Sequence, residues 1–159
     1  MPPALTRRSL FALALLPIAG CSFLPGRQEK APTASARFAG NTPEMQAMIR
    51  NYASFLEIPP ELLDHVVRVE SGYNPAARNG SYYGLMQVNP QTARTMGYQG
   101  PDAGLLDAET NLRWAGAYLR GAYIVANGNQ ERAYDWYRRG YYYEARDRGL
   151  LEATGLRRS

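Results

Sequence analysis

Cysteine, histidine and lysine each occur once, as Cys21, His65 and Lys30. A single cysteine cannot close a disulfide within the chain, and one histidine beside it makes no cluster at zinc-ligand spacing. There is no glycine-rich phosphate loop and no other metal-ligand spacing, so neither a metal nor a cofactor is expected. The chain shows no internal repeat and no strand-pairing signal. Its longest apolar run, Leu10 to Leu16, is too short to span a bilayer in a mature protein. Excess charge is scarce as well. The formal balance is +4, carried almost wholly by arginine, and without Arg7 and Arg8 it is two lower. Such a balance suits anionic polymers in general, but no helix gathers the arginines on one face, and nucleic acid is not an expected partner.

The amino-terminal end is informative. Thr6-Arg7-Arg8-Ser9 precedes the apolar run, which ends in Leu16-Pro17-Ile18-Ala19-Gly20-Cys21. A basic stretch, a short apolar run and small residues form a signal peptide, read here as residues 1–20. Small residues immediately before a cysteine resemble the bacterial lipoprotein cleavage box, in which the cysteine is acylated and becomes the first mature residue. Cys21, with no disulfide partner, is the expected lipidation site and ties the chain to a membrane. The paired arginines also resemble, weakly, a twin-arginine export signal. Residues 21–41, rich in Pro, Gly, Ala and Ser, read as a lipidated, flexible tether.

Residues 42–159 read as one all-α domain, long enough for a single core. Thr42-Pro43-Glu44 is a helix start with a capping hydroxyl, and Met45, Met48, Ile49, Tyr52, Phe55 and Leu56 follow as a core stripe. Ile58-Pro59-Pro60 breaks that helix and opens a second, Pro60 to Glu70. Asn89-Pro90 opens a short helix stopped at Gly97, Gly100 to Leu106 reads as loop, and Asp107 caps the longest remaining helix. The buried face of that helix is Leu112, Ala115, Gly116, Leu119, Ala122, Tyr123 and Ala126, and its small residues permit close approach of a neighbour. Asn127-Gly128-Asn129 ends it. A helix from Gln130 to Arg139 stops at Gly140, and Tyr141 to Arg148 has helical character.

The second helix places one acid oddly. Leu63, Val66 and Val67 recur at i, i+3 and i+4, and Glu70 falls at i+7 of the same apolar series, while Glu61, Asp64, His65 and Arg68 take the opposite face. A carboxyl at the edge of an apolar face loses solvation, which raises its pKa and lets it serve as a general acid near neutral pH. A buried glutamate held by a structural hydrogen bond or an arginine would be placed in the same way. Asp64 lies on the polar face, Asp107 is spent as a cap, and Glu109 sits in a first turn where the helix dipole favours an acid. His65 reads as solvated.

The residues from Glu70 onward carry a more specific signal. Glu70-Ser71-Gly72-Tyr73-Asn74-Pro75, Ala77, Gly84-Leu85-Met86-Gln87, Pro90 and Thr92-Ala93 come in order, and then Asp107-Ala108-Glu109-Thr110-Asn111-Leu112 with Gly116, Tyr118 and Leu119. From Thr42 to Gly140 the chain resembles the soluble lytic transglycosylases, relatives of the goose-type lysozymes. The resemblance implies a lysozyme-like single domain acting on peptidoglycan glycan strands. In it Glu70 alone serves as acid and then base, cleaving the β-1,4 bond between N-acetylmuramic acid and N-acetylglucosamine with 1,6-anhydro ends. It implies Ser71 and Gln87 as cleft-lining residues that bind substrate polar groups, Met86 as a hydrophobic wall, and Tyr118 as a substrate contact. It also implies Tyr137, laid on the tyrosine of the A-Y-N-A-G motif, as a hydroxyl reaching the acid. Tyr82 and Tyr83 could stack on sugar faces or pack half-buried, and the run Tyr141-Tyr142-Tyr143 has the same two readings. Arg138 departs from the family, standing where it carries Asn. The loop Arg78 to Tyr83 is about one residue shorter than the common form and bears tyrosines where small residues are usual.

The expected setting is the cell envelope, on the periplasmic face, lipid-anchored in the outer rather than the inner membrane, with room for envelope-assembly partners. The alternatives are a goose-lysozyme-like hydrolase using Glu70 with water, and a non-catalytic glycan-binding lipoprotein.

Overall fold

Six α-helices and one small hairpin make up the computed structural model, which describes residues 40–157. In chain order these are α1 (Pro43–Leu56), α2 (Pro60–Ser71), the strands β1 (Arg78–Asn79) and β2 (Tyr82–Tyr83), α3 (Pro90–Met96), α4 (Ala108–Val125), α5 (Gln130–Arg139) and α6 (Tyr142–Asp147). A 3₁₀ turn at Asp102–Leu106 precedes α4, where the sequence reads as loop. The leader, Cys21 and nearly all of the tether lie outside the described residues.

Capping chemistry starts most of the helices. Thr42 Oγ1 accepts from Met45 N at 3.2 Å, Asn89 from Gln91 N at 2.8 Å, Asp107 from Thr110 N at 2.9 Å and Asn129 from Arg132 N at 2.9 Å. Each satisfies an amide that the first helical turn leaves without a partner. At the other ends Glu57, Gly72 and Gly97 take the left-handed conformation that closes a helix.

The core is continuous across α1, α2 and α4. Met45, Met48, Ile49, Ala53 and Leu56 from α1 meet Leu62, Leu63, Val66 and Val67 from α2 and Leu112, Ala115 and Leu119 from α4. Gly116 lets α1 and α4 close in: a Cβ there would stand 2.4 Å from Leu56 Cδ1. One expected core residue is not in it. Phe55 is 64% exposed, lying at the edge of the α1 stripe, with Tyr52 edge-on to its ring and the Arg113 guanidinium over it. Ala53 takes the buried position instead.

The chain from Arg78 to Val88 holds a strand pair, against the expectation of none. Arg78 pairs with Tyr83 and Asn79 with Tyr82, antiparallel, around a tight Gly80-Ser81 turn with Gly80 at φ +58. Glycine in the left-handed region at the first turn position, followed by serine, is a two-residue hairpin signal. Tyr83 continues into a bridge with Val88, and Gly84 N donates to Ala77 O at 2.8 Å.

Asn111 of α4 locks this loop to the helical body. Its side chain is fully buried. Nδ2 donates to Tyr83 O and Leu105 O, both at 2.8 Å, and Oδ1 accepts from Met86 N at 2.9 Å. Gly84 is required beneath it, because a Cβ there would lie 2.3 Å from both Asn111 Nδ2 and Leu105 O, at a φ of +75. A smaller cluster of Ala122, Val125, Tyr141, Ala145 and Leu151 seats α6 on the other side of α4.

Replacing Asn111 by Leu keeps the volume and strands Leu105 O and Met86 N, each at a cost of about 1–3 kcal/mol, while Tyr83 O keeps the Val88 amide at 3.1 Å. Urea unfolding of Asn111→Leu is expected to show a loss of about 2 kcal/mol or more. A loss under about 1 kcal/mol would mean that the loop is held by something else.

Candidate active site

Glu70 lies in the last turn of α2, half-buried, and faces a cleft of about 770 Å³. Ser71 lines the cleft beside it. The hairpin adds Arg78, Asn79 and Tyr82, the loop after it Gln87, Val88 and Asn89, α4 Tyr118, and the end of α5 Tyr137, Arg138, Arg139 and Gly140. Glu70 is the only acidic residue among these.

One oxygen of Glu70 is committed. Oε1 accepts from the Tyr134 hydroxyl at 2.9 Å. Among the described residues Oε2 has no protein partner, which leaves it as the oxygen a ligand can meet. Tyr134 is not a wall of the cleft. Its ring lines a separate hollow with Glu61, Leu62, His65, Gln130, Glu131 and Asp135, and His65 packs edge-on against it at 5.0 Å between centroids. The tyrosine therefore reaches the acid from outside the cleft. Burial, and next the bond to Glu70, push its hydroxyl up to about 12, so it remains a donor throughout the neutral range.

Other polar groups in the cleft are also half-used. Gln87, at φ +47, donates Nε2 to Ala77 O at 3.2 Å and Gly84 O at 2.9 Å. Two carbonyl acceptors fix the amide orientation and leave its Oε1 as the acceptor. Ser71 Oγ donates to Val67 O at 3.1 Å and keeps its lone pairs. Tyr118 is held between Tyr137 and Tyr141, with centroids 5.7 and 4.6 Å away, and Tyr141 O–H donates to Tyr118 O at 2.8 Å. It forms an aromatic wall with little freedom.

The family model for the transglycosylase SLT domain matches residues 47–149. The chain belongs to that family. No solved structure matches the chain. The SLT domain here is all-α and lysozyme-like, and its family carries a peptidoglycan-directed, lytic transglycosylase-type function in general.

Within this SLT domain the structure brings Glu70, Ser71, Gln87, Tyr118, Tyr137 and Tyr82 to one cleft. Three expectations need correction. Met86 is not a wall of the cleft: it is fully buried, drawn into the core as Asn111 holds its amide. Tyr83 is 8% exposed and packs inward, because alternate residues of a strand face opposite ways, while Tyr82 is 50% exposed. Tyr137 does not bond the acid. Its hydroxyl donates to Met86 O at 2.8 Å, and Tyr134, one helical turn earlier on the same face, takes that role. Tyr134 lies upstream of the A-Y-N-A-G match; its spacing from Tyr137 is the signal that could have found it.

The remaining groups fall outside the cleft. Tyr141 is core, and Tyr142 and Tyr143 are exposed elsewhere. His65 is half-buried against Tyr134 rather than solvated. Asp64 has a structural task, accepting from Gln46 Nε2 at 2.7 Å and Tyr73 O–H at 3.1 Å. Asp107 caps α4 as expected.

Burial raises the pKa of Tyr134, Tyr137 and Tyr141 above the ordinary tyrosine value of about 10. The folded chain holds these protons more tightly than the unfolded one. Their contribution to stability is complete below about pH 10 and declines above it; the share of Tyr134 is lost as the pH rises through about 12, and those of Tyr137 and Tyr141 persist higher. Stability against urea is expected to fall above about pH 10, with the tyrosinate absorbance of the buried rings appearing together with the loss of helical circular dichroism. Full tyrosine titration near pH 10 with the helices intact would contradict this.

Proposed function

We propose that this protein is a lytic transglycosylase that cleaves the β-1,4 bond between N-acetylmuramic acid and N-acetylglucosamine and leaves 1,6-anhydro-muramyl ends, with Glu70 as the single acid and base. The observation that supports this most is a cleft lined by one carboxylate. Most glycosidases that use water, or a separate protein nucleophile, need a second carboxylate to act as base or nucleophile. Here Asp64 and Asp107 are occupied in the fold.

One carboxyl suffices when the nucleophile is internal. Glu70 Oε2, protonated, gives its proton to the glycosidic oxygen as the bond to the anomeric carbon breaks. The hydroxyl on the sixth carbon of the same muramyl ring attacks that carbon, and the carboxylate just formed takes the hydroxyl proton. Glu70 ends protonated, and no water is consumed. A well-oriented internal nucleophile has an effective molarity on the order of 10⁵ M or more, which makes a water-positioning group unnecessary. Tyr134 acts as a positioning residue: by holding Oε1 it aims Oε2 into the cleft. The Oε1 of Gln87 and the lone pairs of Ser71 are suited to accept from sugar hydroxyl or amide groups, and Tyr118 and Tyr82 to pack on ring faces.

Product mass spectrometry on purified peptidoglycan tests this reading. The wild-type domain is expected to release muropeptides one water lighter than hydrolysed ones. Glu70→Gln should abolish release while keeping strand binding, and Tyr134→Phe should lower turnover about tenfold with little change in KM. Reducing-end products would make the enzyme a hydrolase. Strand binding without products from the wild type would make it a glycan-binding lipoprotein.

We also propose that Cys21, outside the described residues, is acylated and holds the domain at the periplasmic face of the cell envelope, in the outer rather than the inner membrane. The support is the leader and its Ala19-Gly20-Cys21 junction. Fatty-acid labelling of the full chain is expected to disappear in Cys21→Ala, with release from the membrane fraction; labelling retained in that variant would overturn the anchor.

A further inference from the structure

Arginine is concentrated in the cleft. Arg78 comes from the hairpin and Arg138 and Arg139 from the end of α5, and all three line it with Glu70 as the only acid. Among the described residues none of the three makes an ion pair, although four other arginines do. Each lies instead over an aromatic ring. The Arg78 guanidinium is 4.6 Å from the Tyr83 centroid, Arg138 is 5.6 Å from Tyr134, and Arg139 is 4.3 Å from Trp136.

A guanidinium over a ring is held by its face, and its N–H edge stays open to a planar bidentate acceptor. Carboxylate is the acceptor that fits this fork. A neutral sugar offers hydroxyl and amide groups but no such partner. A muramyl unit does carry carboxylates, either the single lactyl carboxylate of a bare strand or the several carboxylates of an attached peptide. Three separately seated guanidiniums from two elements exceed what one lactyl group can engage.

From this we infer that the cleft reads the peptide substituents of the glycan through Arg78, Arg138 and Arg139, and that the preferred substrate is a strand bearing its peptide stems. The inference rests on the transglycosylase reading and adds the substrate class within it. Arg138, at the position where the family carries Asn, is its most specific element.

Binding to an inactive form tests the inference apart from chemistry. Glu70→Gln protein would be titrated with stem-bearing strands, with the same strands stripped of peptide by an amidase, and with an uncharged chitin oligosaccharide. The expected order is stem-bearing tightest, by about tenfold over stripped, with the advantage shrinking as salt rises. Adding Arg78→Gln, Arg138→Asn and Arg139→Gln, with folding checked by circular dichroism, should reduce that ratio to near one. Equal binding of stem-bearing and stripped strands would overturn the inference in favour of the lactyl carboxylate alone. Equal binding of chitin would remove carboxylate recognition altogether. A product assay on the wild type in parallel separates the two levels: anhydro products without a stem preference sink only this inference, whereas absence of anhydro products sinks the transglycosylase reading on which it stands.

Discussion

The buried amide of Asn111 is the constraint on which the site depends. It presents two donors and one acceptor from a single planar group, and all three are used, on Tyr83 O, Leu105 O and Met86 N. A carboxylate at this position could not donate, and an aliphatic side chain would leave Leu105 O and Met86 N without partners away from water, with Tyr83 O held by the Val88 amide alone. Through this one group the hairpin, the loop carrying Gln87 and the 3₁₀ turn are tied to the central helix. Tyr137, by donating to Met86 O, ties the same loop to α5. One wall of the cleft thus comes from segments with little regular structure of their own, and its position is set against helices that supply the other lining residues.

That arrangement explains how a cleft lined largely by polar groups stays ordered. Gln87, Ser71 and Glu70 each have one hydrogen-bonding function anchored to protein and another left for a ligand. Side chains anchored at one atom lose much of their rotamer freedom on folding, so less must be lost when substrate arrives. Tyr118, wedged between two rings, behaves in the same way with an apolar surface.

The range of each interaction determines whether the sequence reveals it. Helix starts at Thr42, Asn89 and Asp107 are legible because a cap acts over two or three residues. The placement of Glu70 is legible from helical periodicity, and its membership of a cleft from the ordered motifs around it. Phe55 is misplaced by the pattern because a stripe's edge depends on which neighbouring helix covers it, which periodicity does not contain. Met86 and Tyr83 look like surface contacts because they stand beside cleft residues in sequence, yet a turn and a strand reverse direction between neighbours. Tyr134 escapes notice because its bond to Glu70 joins residues 64 apart, and only the packing of α5 near α2 brings them together. The three arginines are visible as letters, but their common cleft and their aromatic seats exist only in three dimensions.

The proton on Tyr134 shows how these parts constrain the chemistry. Burial and the neighbouring Glu70 both favour the neutral phenol, while Arg138, lying over the ring, favours the charged form. The first two prevail, and the hydroxyl holds its proton up to about pH 12. Tyr134 is therefore unsuited to share in proton transfer at neutral pH, which agrees with the proposal that Glu70 alone carries the proton. The charge of Arg138 nonetheless opposes that rise, which makes the hydroxyl a stronger donor to Oε1. A cation seated in this way can meet an anionic substituent at its edge while its face remains over the tyrosine that orients the acid. The proposed substrate recognition and the proposed positioning of the acid would then share one aromatic ring, and neither calls for a second carboxylate in the cleft.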